Sequence, residues 1–230
     1  MFDNYAFKYP LHQALIDGDY EKIKLNINQD NINNKDDSGN SLLHLCAVKG
    51  LLEMAQFLIE KGIDILSRNQ STYSALNEAT YSGHFDLVKL LIINGANIHE
   101  TFEYGQTVLH AAAYQGYLDI TRYLIEKGAN VNASRIDGTT ALHKAVMKGS
   151  MEVLKLLIDS GADVNAKTEN GKTPLHYAVN SGRLDYVIFL IESGADLKAK
   201  TNDGYSFSDI AKENQNTHMI EYLESMNFDR

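Results

Sequence analysis

One register runs through the whole sequence. A tetrapeptide that most often ends in His appears as Tyr9-Pro10-Leu11-His12, Ser41-Leu42-Leu43-His44 and Ser74-Ala75-Leu76-Asn77. It continues as Thr107-Val108-Leu109-His110, Thr140-Ala141-Leu142-His143, Thr173-Pro174-Leu175-His176 and Ser206-Phe207-Ser208-Asp209. The last residues fall at 12, 44, 77, 110, 143, 176 and 209, so the step is 32 once and 33 thereafter. A period of this length is the mark of a repeat architecture, in which each unit buries its apolar face only against its neighbours.

Other columns keep the same step. A small residue follows two positions later: Ala14, Cys46, Ala79, Ala112, Ala145, Ala178 and Ala211. Gly18, Gly50, Gly83, Gly116, Gly149 and Gly182 stand six positions after the marker, and Leu58, Leu91, Leu124, Leu157 and Leu190 stand fourteen after. Each column has a local meaning. The Ser or Thr that opens the motif is an N-cap for a short first helix, with Pro174 at the N1 position that lacks a partner anyway. The glycine six residues on ends that helix. A second helix follows, with Val153, Leu154, Leu157 and Ile158 spaced for one face and Glu53, Asp86, Asp119, Glu152 or Asp185 in its first turn. A second glycine closes it, and a turn such as Asn170-Gly171 or Asp203-Gly204 leads to the next repeat.

Thr173-Pro174-Leu175-His176-Tyr177-Ala178 and Gly161-Ala162-Asp163-Val164-Asn165-Ala166 resemble ankyrin repeats, and the resemblance covers nearly the whole chain. It implies an all-α solenoid of stacked helix–turn–helix units with projecting β-hairpin-like fingers. Seven repeats are expected, at about 5–35, 36–68, 69–101, 102–134, 135–167, 168–200 and 201–230, in a single domain. The outer repeats depart from the pattern: Gln29 replaces a closing glycine in the first, and Ser208, Asp209 and Gln215 replace Leu, His and Gly in the last. Such ends read as polar caps.

Composition narrows the function classes. Asp plus Glu number 30 against 21 Lys plus Arg, a formal net charge of −9. That balance argues against nucleic acid, which is bound by neutralising phosphates, and against an anionic membrane surface. No apolar run reaches the roughly 20 residues that span a bilayer. The first ten residues lack the basic and apolar pattern of a secretory signal. Cys46 is the one cysteine, which leaves no internal disulfide and no Cys-rich zinc site and fits a reducing, cytoplasmic setting. High Asn (20) and low Arg (5) fit AT-rich coding, which keeps a bacterial effector delivered into a host cell as an alternative.

Nothing in the sequence assembles an enzyme. The marker histidines sit on stacked helices roughly 8–10 Å apart, too far for neighbours in the column to share a zinc ion. Each imidazole is expected to bond the finger or the cap hydroxyl and hold the turn. Cys46 fills a small-residue slot and reads as a buried thiol. No cofactor and no metal are expected, and there is no phosphate-cradling glycine cluster. The expectation is a monomeric, non-catalytic module for a protein partner, with a targeting or regulatory arm of an enzyme as a further alternative.

The resemblance also implies where a partner would meet the chain: finger tips and first helices, on the concave side. In register these positions hold Tyr73, Glu78 and Tyr81 in repeat three, and Tyr104, Gln106 and Tyr114 in repeat four with Phe102 just before. They hold Ile136, Lys144, Met147 and Lys148 in repeat five and Tyr177 in repeat six. Tyrosine gives apolar area with one polar handle and is favoured at binding hot spots. Lys144, Lys148 and Lys172 form a basic trio that is either a solvated face or a match for an acidic strip. Repeat three lacks the finger glycine and carries Thr72 there, so its finger should differ in shape. Some ankyrin-repeat proteins are hydroxylated on the Asn of a Gly-Ala-x-Val-Asn stretch, and Asn132 and Asn165 match it. Turn propensity alone accounts for Asn at those positions equally well.

Overall fold

The computed structural model describes residues 8–226. These residues form fourteen α-helices and one short 3-10 turn, and no strand is found among them. The helices alternate as first and second members of seven pairs: α1 (Pro10–Asp17) and α2 (Tyr20–Asn26), α3 (Leu42–Lys49) and α4 (Leu52–Glu60), α5 (Ala75–Ser82) and α6 (Phe85–Ile93). They continue with α7 (Val108–Gln115) and α8 (Leu118–Glu126), α9 (Ala141–Lys148) and α10 (Met151–Asp159), α11 (Pro174–Asn180) and α12 (Leu184–Glu192), and α13 (Phe207–Glu213) and α14 (Thr217–Ser225). This is an all-α repeat solenoid. The chain divides between Glu103 and Tyr104 into two compact units. The first carries three helix pairs and the second four. Within each unit α3 packs on α1 and α5, and α9 on α7 and α11, so first helices stack on first helices.

Local chemistry explains the helices. Ser41, Ser74, Thr107, Thr140, Thr173 and Ser206 are extended N-caps, each in a reciprocal capping box with the residue three positions on. The usual Glu or Gln of that box is replaced by His, Asn77 or Asp209. The short first helices could not stand alone in water, where isolated helices under about 12–15 residues are marginal. Stacking supplies what propensity does not. Ala79, Ala112, Ala145, Ala178 and Cys46 are fully buried where first helices approach, and Leu58, Leu91, Leu124, Leu157 and Leu190 are fully buried beneath the second. Burial alone pushes the Cys46 thiol up to about 12, which makes it inert at neutral pH.

The imidazole column ties one repeat to the next. The Ser41 amide donates to His44 Nδ1 at 3.2 Å, and His44 Nε2 lies 2.9 Å from the Tyr73 carbonyl of the following finger. His110 repeats this with the Thr107 amide (3.2 Å) and the Thr139 carbonyl (3.0 Å), and His143 with the Thr140 amide (3.2 Å) and the Lys172 carbonyl (3.2 Å). His12 reaches the Asn40 carbonyl at 2.9 Å. A ring that accepts at Nδ1 and donates at Nε2 is a neutral imidazole with its proton on Nε2. The bond to the finger is therefore a bond to the next repeat, and the bond to the cap closes the repeat's own turn.

Fingers are joined as well. Bridges between Arg68 and Ser74 and between Ser134 and Thr140 close two fingers at their base. At the tips, amides donate to the preceding finger: Gln70 to the Ser38 carbonyl (3.0 Å), Ile136 to Tyr104 (2.9 Å), Glu169 to Asp137 (2.9 Å) and Asn202 to Asn170 (3.0 Å). Gly138 shows what this requires. Its φ is 75°, and a Cβ there would stand 2.9 Å from both the Lys167 carbonyl oxygen and the Thr168 Cα. The left-handed backbone and the approach of the next finger both demand glycine.

Two outcomes follow for stability. Leu124→Ala should cost about 2–5 kcal/mol as a core truncation, while Tyr104→Ala, at a side chain 68% exposed, should stay within about 0.5 kcal/mol in urea melts. Burial, opposed by the finger bond, lowers His110 and His143 from 6.5 to about 4. The unfolded chain then binds more protons than the folded one between those values. Stability is complete above pH 6.5 and falls as pH drops toward 4, by on the order of 2–3 kcal/mol for each of the two histidines. Thermal melts at steps from pH 7 to pH 4.5 should show the loss, and His110→Asn with His143→Asn should reduce it, the remainder coming from His12, His44 and His176, which burial lowers in the same way.

Candidate functional site

The expected contact residues separate into two groups, one in each unit. In the first unit Tyr73 and Tyr81 lie 5.8 Å apart between ring centroids, and Phe102 lies 5.0 Å from Tyr73 and 6.0 Å from Tyr81. Phe102 corrects its expected role. It is only 4% exposed and forms the floor of this cluster, so it supports the two half-buried tyrosines from beneath and offers no contact surface. The Tyr73 hydroxyl donates to Glu103 Oε2 at 3.1 Å. Burial, with the Tyr81 and Glu103 charges, raises Tyr73 well above the usual phenol range. Glu78 is half-buried. Its carboxyl is raised by burial, against a bond from the Asn69 amide at 3.4 Å.

Thr72 explains why this finger differs. It holds φ at 67°, the left-handed region that Gly39, Gly138 and Gly171 occupy in other fingers. A Cβ now stands where the next finger would approach. The tip bond from the Glu103 amide to the Ser71 carbonyl, expected from the other fingers, is not formed. The chain from Glu103 to Gly105 instead makes a 3-10 turn in which Tyr104 takes φ 58°. Beneath the finger, the buried Glu100 accepts a short hydrogen bond from the Ser74 hydroxyl and pairs with Arg68 at 3.2 Å. Arg68 also donates to the Thr101 carbonyl at 2.9 Å. This cluster was missed from sequence, although Arg68 and Glu100 stand close to one repeat step apart, which was the available signal. Asn77 holds the capping box of this repeat, but its buried Nδ2 finds no partner. An amide is shorter than an imidazole and cannot reach as far.

In the second unit the side chains are more open. Tyr104, Ile136 and Met147 are exposed at 68%, 71% and 42%. The Arg135 guanidinium lies 5.8 Å from the Tyr104 ring and 3.6 Å from Asp137 Oδ2. Lys144 and Lys148 place their ammonium groups 5.5 Å and 5.2 Å from the centroid of Tyr114. Burial first, then the Arg135 charge, lowers Lys144 from its ordinary value. Gln106 is partly exposed at the cap of α7. Tyr177 stands edge-on to His143 at 5.4 Å and is half-buried, which raises its phenol.

Asn132 and Asn165 have structural work of their own. Asn132 donates to the Gly161 carbonyl at 2.9 Å and accepts from the Asp163 amide at 2.8 Å. Asn165 does the same with the Gly194 carbonyl (3.1 Å) and the Asp196 amide (2.7 Å). Each amide joins its repeat to the next, which explains the residue type without any modification. Among the described residues no group of His, Cys, Asp or Glu side chains could hold a metal ion, and no helix is long and apolar enough to cross a membrane.

The family model for ankyrin repeats (three copies) matches residues 11–102, 66–135 and 133–201. The chain belongs to the ankyrin-repeat family, whose members are in general protein–protein interaction modules and typically not catalytic. A curated relative is the ankyrin repeat domain-containing protein 13C-B of Xenopus laevis, 34% identical over 68 residues. That match spans 30% of this chain and 13% of the relative, so the chain covers only a small part of the relative's length.

Thr72→Gly should raise stability by about 0.5–1 kcal/mol, because glycine takes a positive φ without the steric cost that a β-branched residue carries. Chemical denaturation of the two proteins side by side measures it. A loss of stability would mean that the threonine side chain contributes packing that outweighs its backbone strain.

Proposed function

We propose that this chain is a non-catalytic binding module for a protein partner, and that the partner contacts finger and first-helix positions. The observation that carries this reading is the exposure of Tyr104, Ile136 and Met147 on the second unit. Tyr104, Ile136 and Met147 stand at finger and first-helix positions of two adjacent repeats, outside the capping and core columns, and so offer apolar area where the family's partners are expected. The frame supports the same reading. Caps, ladder histidines, small residues and leucines hold the backbone, and side chains between those columns are left to vary. A pre-ordered surface of this kind loses little entropy on binding. On the first unit, taken by itself, the candidate contacts are Tyr73, Tyr81 and Glu78, braced by Phe102. A free, buried cysteine fits a reducing compartment such as the cytoplasm.

The test is affinity capture from cell lysates with the wild type and with Tyr104→Ala/Ile136→Ala/Met147→Ala. None of the three side chains is needed for the core, so the variant should melt near the wild-type temperature. Proteins captured by the wild type should be lost with the variant. Undiminished capture by the folded variant would move the contact surface away from these positions.

A further inference from the structure

The second unit carries an unbalanced charge in the middle of the proposed contact face. The chain is acidic, with 30 carboxylate residues against 21 basic ones. Yet among the described residues no ion pair includes Lys144, Lys148 or Lys172. Lys144 and Lys148 lie one helical turn apart and both hold their ammonium groups over the ring of Tyr114. A cation over an aromatic face is held in place without being neutralised. The charge of Asp137 favours the Lys144 ammonium without pairing with it, and the Asp137 carboxylate lies 3.6 Å from the Arg135 guanidinium. Half-burial already disfavours the charge on Lys144, so an anion docking beside it would be doubly welcome. The exposed side chains of Ile136 and Met147 flank the same repeat.

The arrangement also has a spacing. Tyr114 stands on α7, Lys144 and Lys148 on α9, and Lys172 in the finger just before α11, so the cations fall on two successive repeats, whose first helices lie about 8–10 Å apart. An extended peptide rises about 3.3 Å per residue, so every third residue advances by one repeat. We propose that this face of the second unit recognises an extended acidic peptide segment of a partner protein, with one carboxylate taken by Lys144 and Lys148 over Tyr114, another about three residues along taken by Lys172 of the next repeat, and an apolar side chain set against Ile136 and Met147. This inference rests on the binding-module reading above and adds the chemistry of the partner.

The test uses the purified full chain and three fluorescein-labelled twelve-residue peptides in anisotropy titrations. All carry leucine at fixed positions, and every third residue is Glu, Gln or Lys. The Glu peptide should bind at least about tenfold more tightly than the Gln peptide, the scale of one charge-assisted hydrogen bond, and should weaken as salt is raised. Lys144→Glu/Lys148→Glu should reverse the preference in favour of the Lys peptide. Lys144→Met/Lys148→Met, which keeps the aliphatic stems over Tyr114, should abolish the preference while retaining the wild-type circular dichroism and melting temperature. Equal binding of Glu and Gln peptides, no binding of any peptide, or a preference that survives charge reversal would overturn the proposal. So would heparin competing as well as the Glu peptide, since that would mark an unselective cationic patch. The outcomes separate from those of the capture experiment. Capture that depends on Tyr104, Ile136 and Met147 without any acidic preference keeps the surface and removes the acidic partner. Capture that ignores those three residues removes the surface itself.

Discussion

At each of His44, His110 and His143 a neutral imidazole lies between one repeat and the next. It accepts from the amide of its own cap and donates to a carbonyl of the next finger, so a single ring satisfies backbone groups of two repeats at once. The geometry works only for the uncharged ring. A second proton on Nδ1 would face the cap amide, donor against donor, and burial disfavours the charge in any case. Helices of seven to nine residues thus persist because their ends are sealed by the ring and their faces by the neighbouring repeat. Tip bonds between fingers and the Asn132 and Asn165 amides repeat the principle on other parts of the unit.

Repeat three shows what happens where the device is altered. Asn77 keeps the cap but leaves its Nδ2 without a partner, and Thr72 puts a methyl-bearing side chain where a neighbouring finger would approach. The backbone answers with a 3-10 turn, and the local polar groups regroup around Glu100, Arg68 and Ser74. The aromatic cluster of Tyr73, Tyr81 and Phe102 forms on the same finger. Irregular backbone and unusual surface therefore coincide at one place, as they commonly do where loops carry function.

The two groups of candidate contact residues differ in kind. The first unit offers tyrosines whose rings are packed on one another and whose hydroxyl and carboxyl neighbours are raised toward their neutral forms. The second offers exposed apolar side chains among lysines that no carboxylate neutralises. The first unit presents a braced aromatic surface and the second a cationic, apolar one.

Period, caps and the alternation of short helices were legible in the sequence because each is local: an N-cap, a helix-ending glycine and an apolar stripe act within a few residues of themselves. The role of the histidines was half legible, since the cap is three residues away but the finger carbonyl is twenty-nine residues on. Burial at the variable positions was not legible at all. Phe102 and Tyr104 are aromatics two residues apart, yet one is under the cluster and the other in solvent, and the 3-10 turn with Tyr104 at φ 58° runs the chain between them. The division of the chain at Glu103 and Tyr104, and the gathering of unpaired lysines around Tyr114, likewise depend on contacts between repeats. Sequence determined what each repeat is; packing between repeats decided which of its side chains are left for something else to touch.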